Sequence, residues 1–135
     1  DPAGLKWKDL LTPGIAVPTP WEKEEFDRSD TAYQKIRAEI NDKIARMKRA
    51  GAPADGIAER EEESERMSKE QADWVDRFLA ASRFAGKTGV FEGAGYAAEG
   101  LFRPAVDCLM FTKGAKPLCP VCERAVRRMI EFYAE

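Results

Sequence analysis

Three cysteines carry the most evident reactive chemistry in this sequence, and two of them form a Cys-x-x-Cys motif at Cys119 and Cys122. At the N-terminus of a helix, such a motif lowers the pKa of its first thiol, which suits thiol redox chemistry. A thioredoxin-like site also needs a strand after the helix, and the residues after Cys122 do not supply one. Zinc prefers four ligands, and the three cysteines supply only three. A zinc knuckle in which Asp107 is the fourth ligand is possible but unattractive. We therefore favour a structural disulfide from Cys108 to Cys119 or to Cys122, which leaves one cysteine unpaired.

The absence of histidine from all 135 residues restricts the chemistry further. It removes Ser/His/Asp and Cys/His catalytic sites, and it removes every zinc site that needs a histidine ligand. The net charge is −2, from 22 basic and 24 acidic residues, and it predicts no nucleic-acid partner because such partners call for a basic patch. No apolar run approaches the roughly 20 residues of a membrane span, so we predict no membrane partner.

A glycine-rich segment, Gly93-Ala94-Gly95-Tyr96-Ala97-Ala98, fits the loose G-x-G-x-x-G/A fingerprint and follows a plausible strand at Val90-Phe91. A dinucleotide site also needs a helix that begins at this turn and a second strand. Gly100 and Pro104 would interrupt the helix, and no convincing second strand follows. We therefore interpret the glycines as allowing a tight turn with positive φ.

The elements around these residues indicate a mainly α chain with irregular loops and little β structure. Residues 1–28 form an extended arm with one short helical turn at residues 5–11, because four prolines exclude a long helix. Residues 29–85 form an inserted antiparallel helical hairpin, with an N-cap at Ser29 or Asp30 and a break at residues 51–56. Residues 86–135 hold the glycine-rich loop and a helix over residues 120–133, with an apolar face.

Several short motifs occur in an order that resembles one known family. They are VFEGAGY at residues 90–96, RP at 103–104, DCLM at 107–110 and CPVC at 119–122. Together with the helix that follows, they resemble the C-terminal end of the IgA-peptidase family of bacterial zinc metallopeptidases. LKWKDLL at residues 5–11 and VPTP at 17–20 are similar to the stretch just downstream of that family's zinc-binding helix.

The resemblance implies the C-terminal subdomain of a metzincin-like α+β fold that hydrolyses peptide bonds with metal-activated water. In such enzymes an H-E-x-x-H helix supplies two zinc ligands and the glutamate base, and a tight turn bearing a methionine passes beneath the metal. Asp107 and Met110 would belong to that Met-turn. The zinc-binding helix is missing from this sequence, so zinc belongs to the complete enzyme, this chain binds none, and we expect it to be inactive alone.

The same resemblance suggests a substrate cleft and a cellular location. Tyr96 would stabilise an oxyanion, Glu92 would bond the substrate backbone, and Arg103 would hold a carboxylate or the turn. Structural roles that tie the glycine-rich loop to the Met-turn are the alternative for all three, and core packing is the alternative for Met110. The sequence opens with Asp1-Pro2 and no initiator Met, which suggests a processed or excised piece of a secreted or periplasmic protein.

The expected partners are a protein or peptide substrate and the N-terminal part of the same catalytic domain. A different class of function stays open beside the peptidase. The chain could be a non-catalytic helical module whose hairpin docks a protein partner, and an exposed apolar patch on the hairpin would favour that function.

Overall fold

The computed structural model describes residues 1–134, and in those residues it confirms the prediction of a mainly α chain with little β structure. The elements in chain order are a 3-10 helix at Leu5–Leu10, α1 at Lys23–Arg49, α2 at Ala54–Ala80, β1 at Phe91–Ala94, β2 at Ala97–Arg103 and α3 at Pro120–Ala134. Among the described residues, none of the helices has both the length and the apolar character that crossing a bilayer requires.

The chain divides into two compact units. One is the helical hairpin, Glu24–Phe78, and the other combines Asp1–Lys23 with the chain from Leu79 onward. Every residue singled out for chemistry lies in the second unit, which we call the site unit. The hairpin is therefore described first and by itself.

The hairpin begins earlier than the sequence predicted. Helix α1 starts at Lys23, several residues before the cap predicted at Ser29 or Asp30. Glu24 and Glu25 lie in its first turn, where negative charge is favourable beside the positive end of the helix dipole. The following turn carries Phe26, which is buried against two aromatic side chains of α2. Its ring centroid lies 6.0 Å from that of Trp74 and 5.9 Å from that of Phe78.

The end of α1 agrees with the predicted break. Gly51 has φ +66°, the left-handed conformation that glycine adopts without a steric penalty. The N–H of Ala52 donates to the carbonyl oxygen of Met47 at 3.0 Å, which satisfies one of the last carbonyls of the helix. Helix α2 then begins at Ala54, directly after Pro53, so the connection is short and the two helices form the predicted hairpin.

In the site unit, β1 and β2 form an antiparallel two-stranded sheet. Ala94 pairs with Ala97, and the two residues between them, Gly95 and Tyr96, both have positive φ, at 54° and 67°. This is the backbone of a two-residue hairpin turn. The expectation that no second strand follows the glycines is wrong. The chain leaves the turn as a strand rather than a helix, so the dinucleotide fingerprint has no structural support.

The N-terminal arm packs along β1. Trp7 and Trp21 are buried, and their indole N–H groups donate to the carbonyl oxygens of Gly89 at 2.8 Å and Glu92 at 3.1 Å. The Thr19 N–H donates to the Val90 carbonyl at 2.8 Å, and the Val90 N–H donates to Thr19 Oγ1 at 2.9 Å. A Cβ at Gly89 would lie 2.6 Å from Thr19 Oγ1, so this close approach requires glycine. The arm thereby helps to position the strand that leads to the site.

Candidate functional site

The methionine singled out by sequence lies at the tip of a tight turn formed by residues 108–111. The N–H groups of Phe111 and Thr112 both donate to the Cys108 carbonyl oxygen, at 2.8 and 3.0 Å. Leu109 and Met110 occupy the two central positions, and Met110 is 47% exposed. Met110 therefore does not fill a gap in the core of the described residues. An apolar side chain is instead presented at the surface by a turn whose backbone hydrogen bonds are satisfied.

Hydrogen bonds and one ion pair hold this turn in place. Asp107 Oδ1 accepts from Thr112 Oγ1 at 2.6 Å and from Lys116 Nζ at 2.6 Å. The Gly95 N–H donates to the Met110 carbonyl oxygen at 2.9 Å, which joins the hairpin turn to the 108–111 turn. Asp107 thus positions the turn with its side chain. The sequence analysis placed Asp107 in the turn but did not identify Lys116 as its partner. Lys116 lies nine residues after Asp107, and no local sequence pattern indicates that the two side chains meet.

Arg103 is completely buried and ties the glycine-rich strand to the chain just before the turn. Its Nη1 donates to the carbonyl oxygens of Glu92 at 2.8 Å and Gly93 at 2.7 Å, and its Nε donates to the carbonyl oxygen of Val106 at 3.0 Å. These are charge-assisted bonds to backbone carbonyls, and the Glu92 carbonyl also accepts from the Trp21 indole. The fixed fork of a guanidinium suits this role.

Two aromatic rings complete the surroundings of the Arg103 charge. The guanidinium carbon lies 4.4 Å from the centroid of the Trp21 ring and 3.7 Å from that of the Phe111 ring. Both distances are within the range of cation–π attraction, which is strongest where water is excluded. With no exposed atom, Arg103 does not line a cleft on this chain, and its structural alternative fits the geometry. Sequence reasoning missed both rings as its partners.

The other two candidates for the cleft differ in exposure. Glu92 Oε1 accepts from the Gly100 N–H at 3.1 Å, so its carboxylate also holds the hairpin together. Tyr96 is fully exposed at the turn of that hairpin, with φ +67°. Among Glu92, Tyr96 and Arg103, only Tyr96 has a side chain that is fully exposed, with its hydroxyl open to solvent.

Four large side chains on or beside the two turns are exposed. They are Tyr96, Leu101, Leu109 and Met110. Gly95 links them, because its N–H bonds the Met110 carbonyl and a Cβ at Gly95 would lie 3.6 Å from Leu101 Cδ1. Large exposed apolar side chains that cluster in this way mark surfaces that bind something.

Helix α3 presents a second apolar surface. Its sequence predicts a buried face, yet none of its described residues is buried. Five large apolar side chains on it are exposed: Val126, Met129, Ile130, Phe132 and Tyr133. We call these the α3 face. The start of the helix is fixed to the arm, because Arg124 forms an ion pair with Asp9 and donates to the Lys6 carbonyl oxygen at 3.2 Å.

The three cysteines converge between the 108–111 turn and the start of α3. Cys108 Sγ lies 4.0 Å from Cys119 Sγ and 3.5 Å from Cys122 Sγ, and all three sulfurs lie within 4.8 Å of one another. All three are free thiols, since a disulfide requires about 2.05 Å between sulfurs. The predicted disulfide from Cys108 is therefore not formed in this structure, although its candidate residues are neighbours.

The hydrogen bonds among the three cysteines shift their pKa values in different directions. The hydrogen bond from Cys108 lowers the pKa of Cys119 to about 5, and the Cys122 backbone N–H, 3.5 Å from Cys119 Sγ, acts in the same direction. The hydrogen bond to Cys119, followed by burial, raises the pKa of Cys108. Burial is the main cause that raises the pKa of Cys122. Cys119 is thus the cysteine of the three whose ionisation is favoured.

Because of this difference, Cys119 should be the most reactive thiol of the reduced, chelator-treated chain. At about pH 6 a thiol with its ordinary pKa is almost wholly protonated, whereas Cys119 stays ionised until the pH falls to about 5. We expect iodoacetamide at pH 6 to alkylate Cys119 about tenfold faster than Cys108 or Cys122, after allowance for the lower nucleophilicity of an acidic thiol. Peptide mass spectrometry over time measures the three rates. Equal rates would show that the hydrogen bond from Cys108 does not form.

The residues present do not fit a catalytic zinc of the water-activating type. Such sites use histidine and carboxylate ligands around an open position, and the chain has no histidine. Among residues 1–134, the one cluster of three or more candidate metal ligands is the cysteine group. Any catalytic zinc beside Met110 must therefore take its ligands from polypeptide outside this chain.

Comparison with known protein families gives a match over most of the chain. The model of the family described as IgA Peptidase M64 matches residues 1–130, nearly the whole chain. No curated protein and no solved structure matches the sequence.

Proposed function

The chain belongs to the IgA Peptidase M64 family, and we propose that it forms the floor and one flank of the active site in a zinc-dependent endopeptidase. Membership of this family makes the full protein a peptidase, a hydrolase of peptide bonds. In our proposal the 108–111 turn is the Met-turn of a metzincin-like domain, and Met110 lies beneath the zinc. Because the zinc ligands belong to another part of the protein, the chain alone is inactive.

The exposure of Met110 at the tip of a firmly held turn is the observation that carries this proposal. Hydrogen bonds among Asp107, Thr112 and Lys116 hold the base of the turn, and the Gly95 N–H bonds its tip. A rigid turn that exposes apolar side chains is suited to being covered by another surface. The rest of the catalytic domain, including its zinc-binding helix, is the cover that we propose.

The α3 face supports the same proposal independently of the turn. Its exposed side chains have the spacing of a helix that packs against a neighbour, yet they stay exposed among the described residues. Burying a single side chain of this size contributes about 1.5–3 kcal/mol. We propose that the N-terminal part of the catalytic domain packs on this helix.

The candidate residues then divide into two kinds. Arg103, Glu92 and Asp107 are positioning residues, since each spends its hydrogen bonds on the backbone or side chains around the two turns. Tyr96 is the one that we propose reaches substrate. Its left-handed backbone costs a non-glycine residue about 1–2 kcal/mol, and strain of this kind is concentrated at functional sites. The substrates that we propose are proteins or peptides, met in the periplasm or outside the cell, as the resemblance of the motifs suggests.

A comparison of tyrosine variants in the full-length protein tests this function. We expect zinc-dependent cleavage of a protein substrate that a chelator abolishes. Removing one donor to an oxyanion costs about 10²–10³ in kcat, so Tyr96→Phe should lower kcat by about that factor without changing KM to a similar extent. Tyr33→Phe, which removes a hydroxyl from the hairpin, is the matched control and should retain full activity.

Two further results complete the test. Tyr96→Asn keeps a residue that tolerates the left-handed conformation, so it should fold normally and be as inactive as Tyr96→Phe. A full-length protein that holds no metal and cleaves no peptide bond would rule out the zinc peptidase assignment.

The alternative function, a hairpin that docks a protein partner, gains no support from the structure. Of the large apolar side chains that are exposed in residues 1–134, only Ile36 belongs to the hairpin unit. A single exposed side chain is ordinary for a solvated helix and does not form a binding patch. The exposed apolar side chains concentrate instead in the site unit.

A further inference from the structure

We propose that Cys108, Cys119 and Cys122 bind a structural metal ion of the zinc class, distinct from any catalytic metal. The ion would fasten the 108–111 turn to the start of α3. Counting ligands in the sequence argued against such a site, because three cysteines fall one short of the usual four. The positions of the three sulfurs, and of their neighbours, argue for it.

The distances between sulfurs match thiolates that share one ion. A tetrahedral zinc with Zn–S bonds of about 2.3 Å places its sulfur ligands about 3.8 Å apart. The two separations that involve Cys108 are 3.5 and 4.0 Å, on either side of that value, and all three sulfurs lie within 4.8 Å of one another. Sulfur is the soft ligand that selects zinc or copper(I) over calcium or magnesium. The three sulfurs are thus close enough together to bind one ion.

A disulfide would join only two of the three cysteines and leave the third as a free thiol. Any single bond among the three leaves the remaining thiol within about 4 Å of it, an arrangement that invites thiol–disulfide exchange. A metal ion uses all three sulfurs and requires no displacement of the chain to bring a pair to bonding distance.

The backbone around the cysteines is arranged as in a preformed ligand set. Cys119 directly precedes α3, and Cys122 lies in its first turn, so the helix holds two ligands in fixed positions. The Cys122 N–H points at Cys119 Sγ across 3.5 Å, the kind of outer hydrogen bond that orients metal-bound thiolates. The third ligand comes from the 108–111 turn, whose backbone bonds fix Cys108.

The fourth coordination position is left to a water molecule or a small external ligand. Asp107, the candidate from sequence, is bound to Thr112 and Lys116 through Oδ1. A cavity of about 310 Å³ reaches Cys119 and is lined also by Val106, Pro117 and Pro120. It has room for water molecules beside Cys119.

Charge and proton balance are also favourable. All three cysteines bind the ion as thiolates, any thiol proton still present passes to solvent, and three thiolates with one divalent ion leave a net charge of −1. That charge lies at the N-terminal end of α3, where the helix dipole favours it. Because an unfolded chain has no such site, the binding free energy adds to the stability of the fold.

A cobalt(II) titration of the reduced 135-residue chain tests the proposal directly. We expect saturation at one ion per chain, with thiolate-to-cobalt charge transfer and the visible bands of tetrahedral coordination, and displacement by zinc. Zinc should also slow alkylation of all three cysteines by at least about tenfold, a measurement that needs no variant. Cys108→Ser, Cys119→Ser and Cys122→Ser should each weaken zinc binding by at least about 100-fold, whereas Leu118→Ala in the same segment should not.

Two results would overturn this proposal. One is a reduced, folded chain that takes up no cobalt or zinc, and the other is a chain isolated in air that contains a stable Cys108 disulfide and ignores metal. The proposal does not rest on the peptidase function. Among residues 1–134 the cysteine group is the one cluster that could hold a metal ion, so metal uptake by the chain reports on the cysteines.

Discussion

Replacing Arg103 with alanine is expected to lower the free energy of unfolding of the site unit by about 3–5 kcal/mol. The substitution leaves the backbone carbonyls of Glu92, Gly93 and Val106 without their charge-assisted donor in the core. It also opens a cavity between the rings of Trp21 and Phe111. Urea denaturation measures the loss, with tryptophan fluorescence as one signal and circular dichroism as another.

Two other substitutions show whether the charge or the shape of Arg103 matters. Arg103→Lys keeps a positive charge but not the planar fork, so we expect it to recover only part of the lost stability. Arg127→Ala removes an arginine whose ion pair with Glu123 is exposed on α3, and it should leave the unfolding midpoint nearly unchanged. If Arg103→Ala unfolds at the same urea concentration as the parent chain, the guanidinium does not hold the two turns together.

In the full-length enzyme, Met110→Ala is expected to lower kcat/KM by about 10–100-fold, the usual cost of disturbing residues that support a metal. The same substitution should barely change the stability of the isolated chain, because Met110 is 47% exposed there. If Met110→Ala lowers the activity of the full-length enzyme but not the stability of the isolated chain, then Met110 packs against other residues only in the complete domain. Met110→Leu, similar in volume, should retain most of the activity.

The control for Met110 lies in the hairpin. Met67→Ala removes a methionine from α2 in the hairpin unit and should leave kcat/KM unchanged. Zinc content of the Met110 variants should be measured together with the rates, since a disturbed floor can act through weaker metal binding. Equal activity of Met110→Ala and the parent enzyme would remove Met110 from the site.

The elements that the sequence predicted well are those with a strong local signal. The hairpin follows from apolar residues at helical spacing and from the glycine and proline that separate α1 from α2. The start of α3 follows from Pro120, which a helix accepts in its first turn. Met110 could be singled out only through the order of the motifs around it, since methionine in a loop has no chemistry of its own that would mark it.

Features that depend on distant contacts could not be predicted in the same way. Strand β2 has Ala97, Ala98 and Gly100 in its sequence, residues with little preference for strands, and its pairing with β1 is what makes it a strand. The early start of α1 depends on Phe26, whose aromatic partners are about 50 residues away.

The site itself shows the same division. Arginine is usually an exposed residue type, so the sequence gives no sign that Arg103 is buried. Only the fold reveals that Trp21 and Phe111 lie against its guanidinium. Likewise, spacing along the chain cannot show that Cys108 comes within 4 Å of Cys119 and Cys122, because this depends on how the 108–111 turn is held. A disulfide and a metal site can therefore be distinguished only from the positions of the three sulfur atoms in the structure.

Anomalous scattering at the zinc absorption edge, recorded from crystals of the full-length protein, tests the proposed function most directly. We expect a zinc peak above the tip of the 108–111 turn, ligated by side chains from outside this chain, with Met110 buried under it and Tyr96 at the edge of an open cleft. A full-length structure in which Met110 still faces solvent, or in which the catalytic metal lies far from this turn, would contradict the assignment.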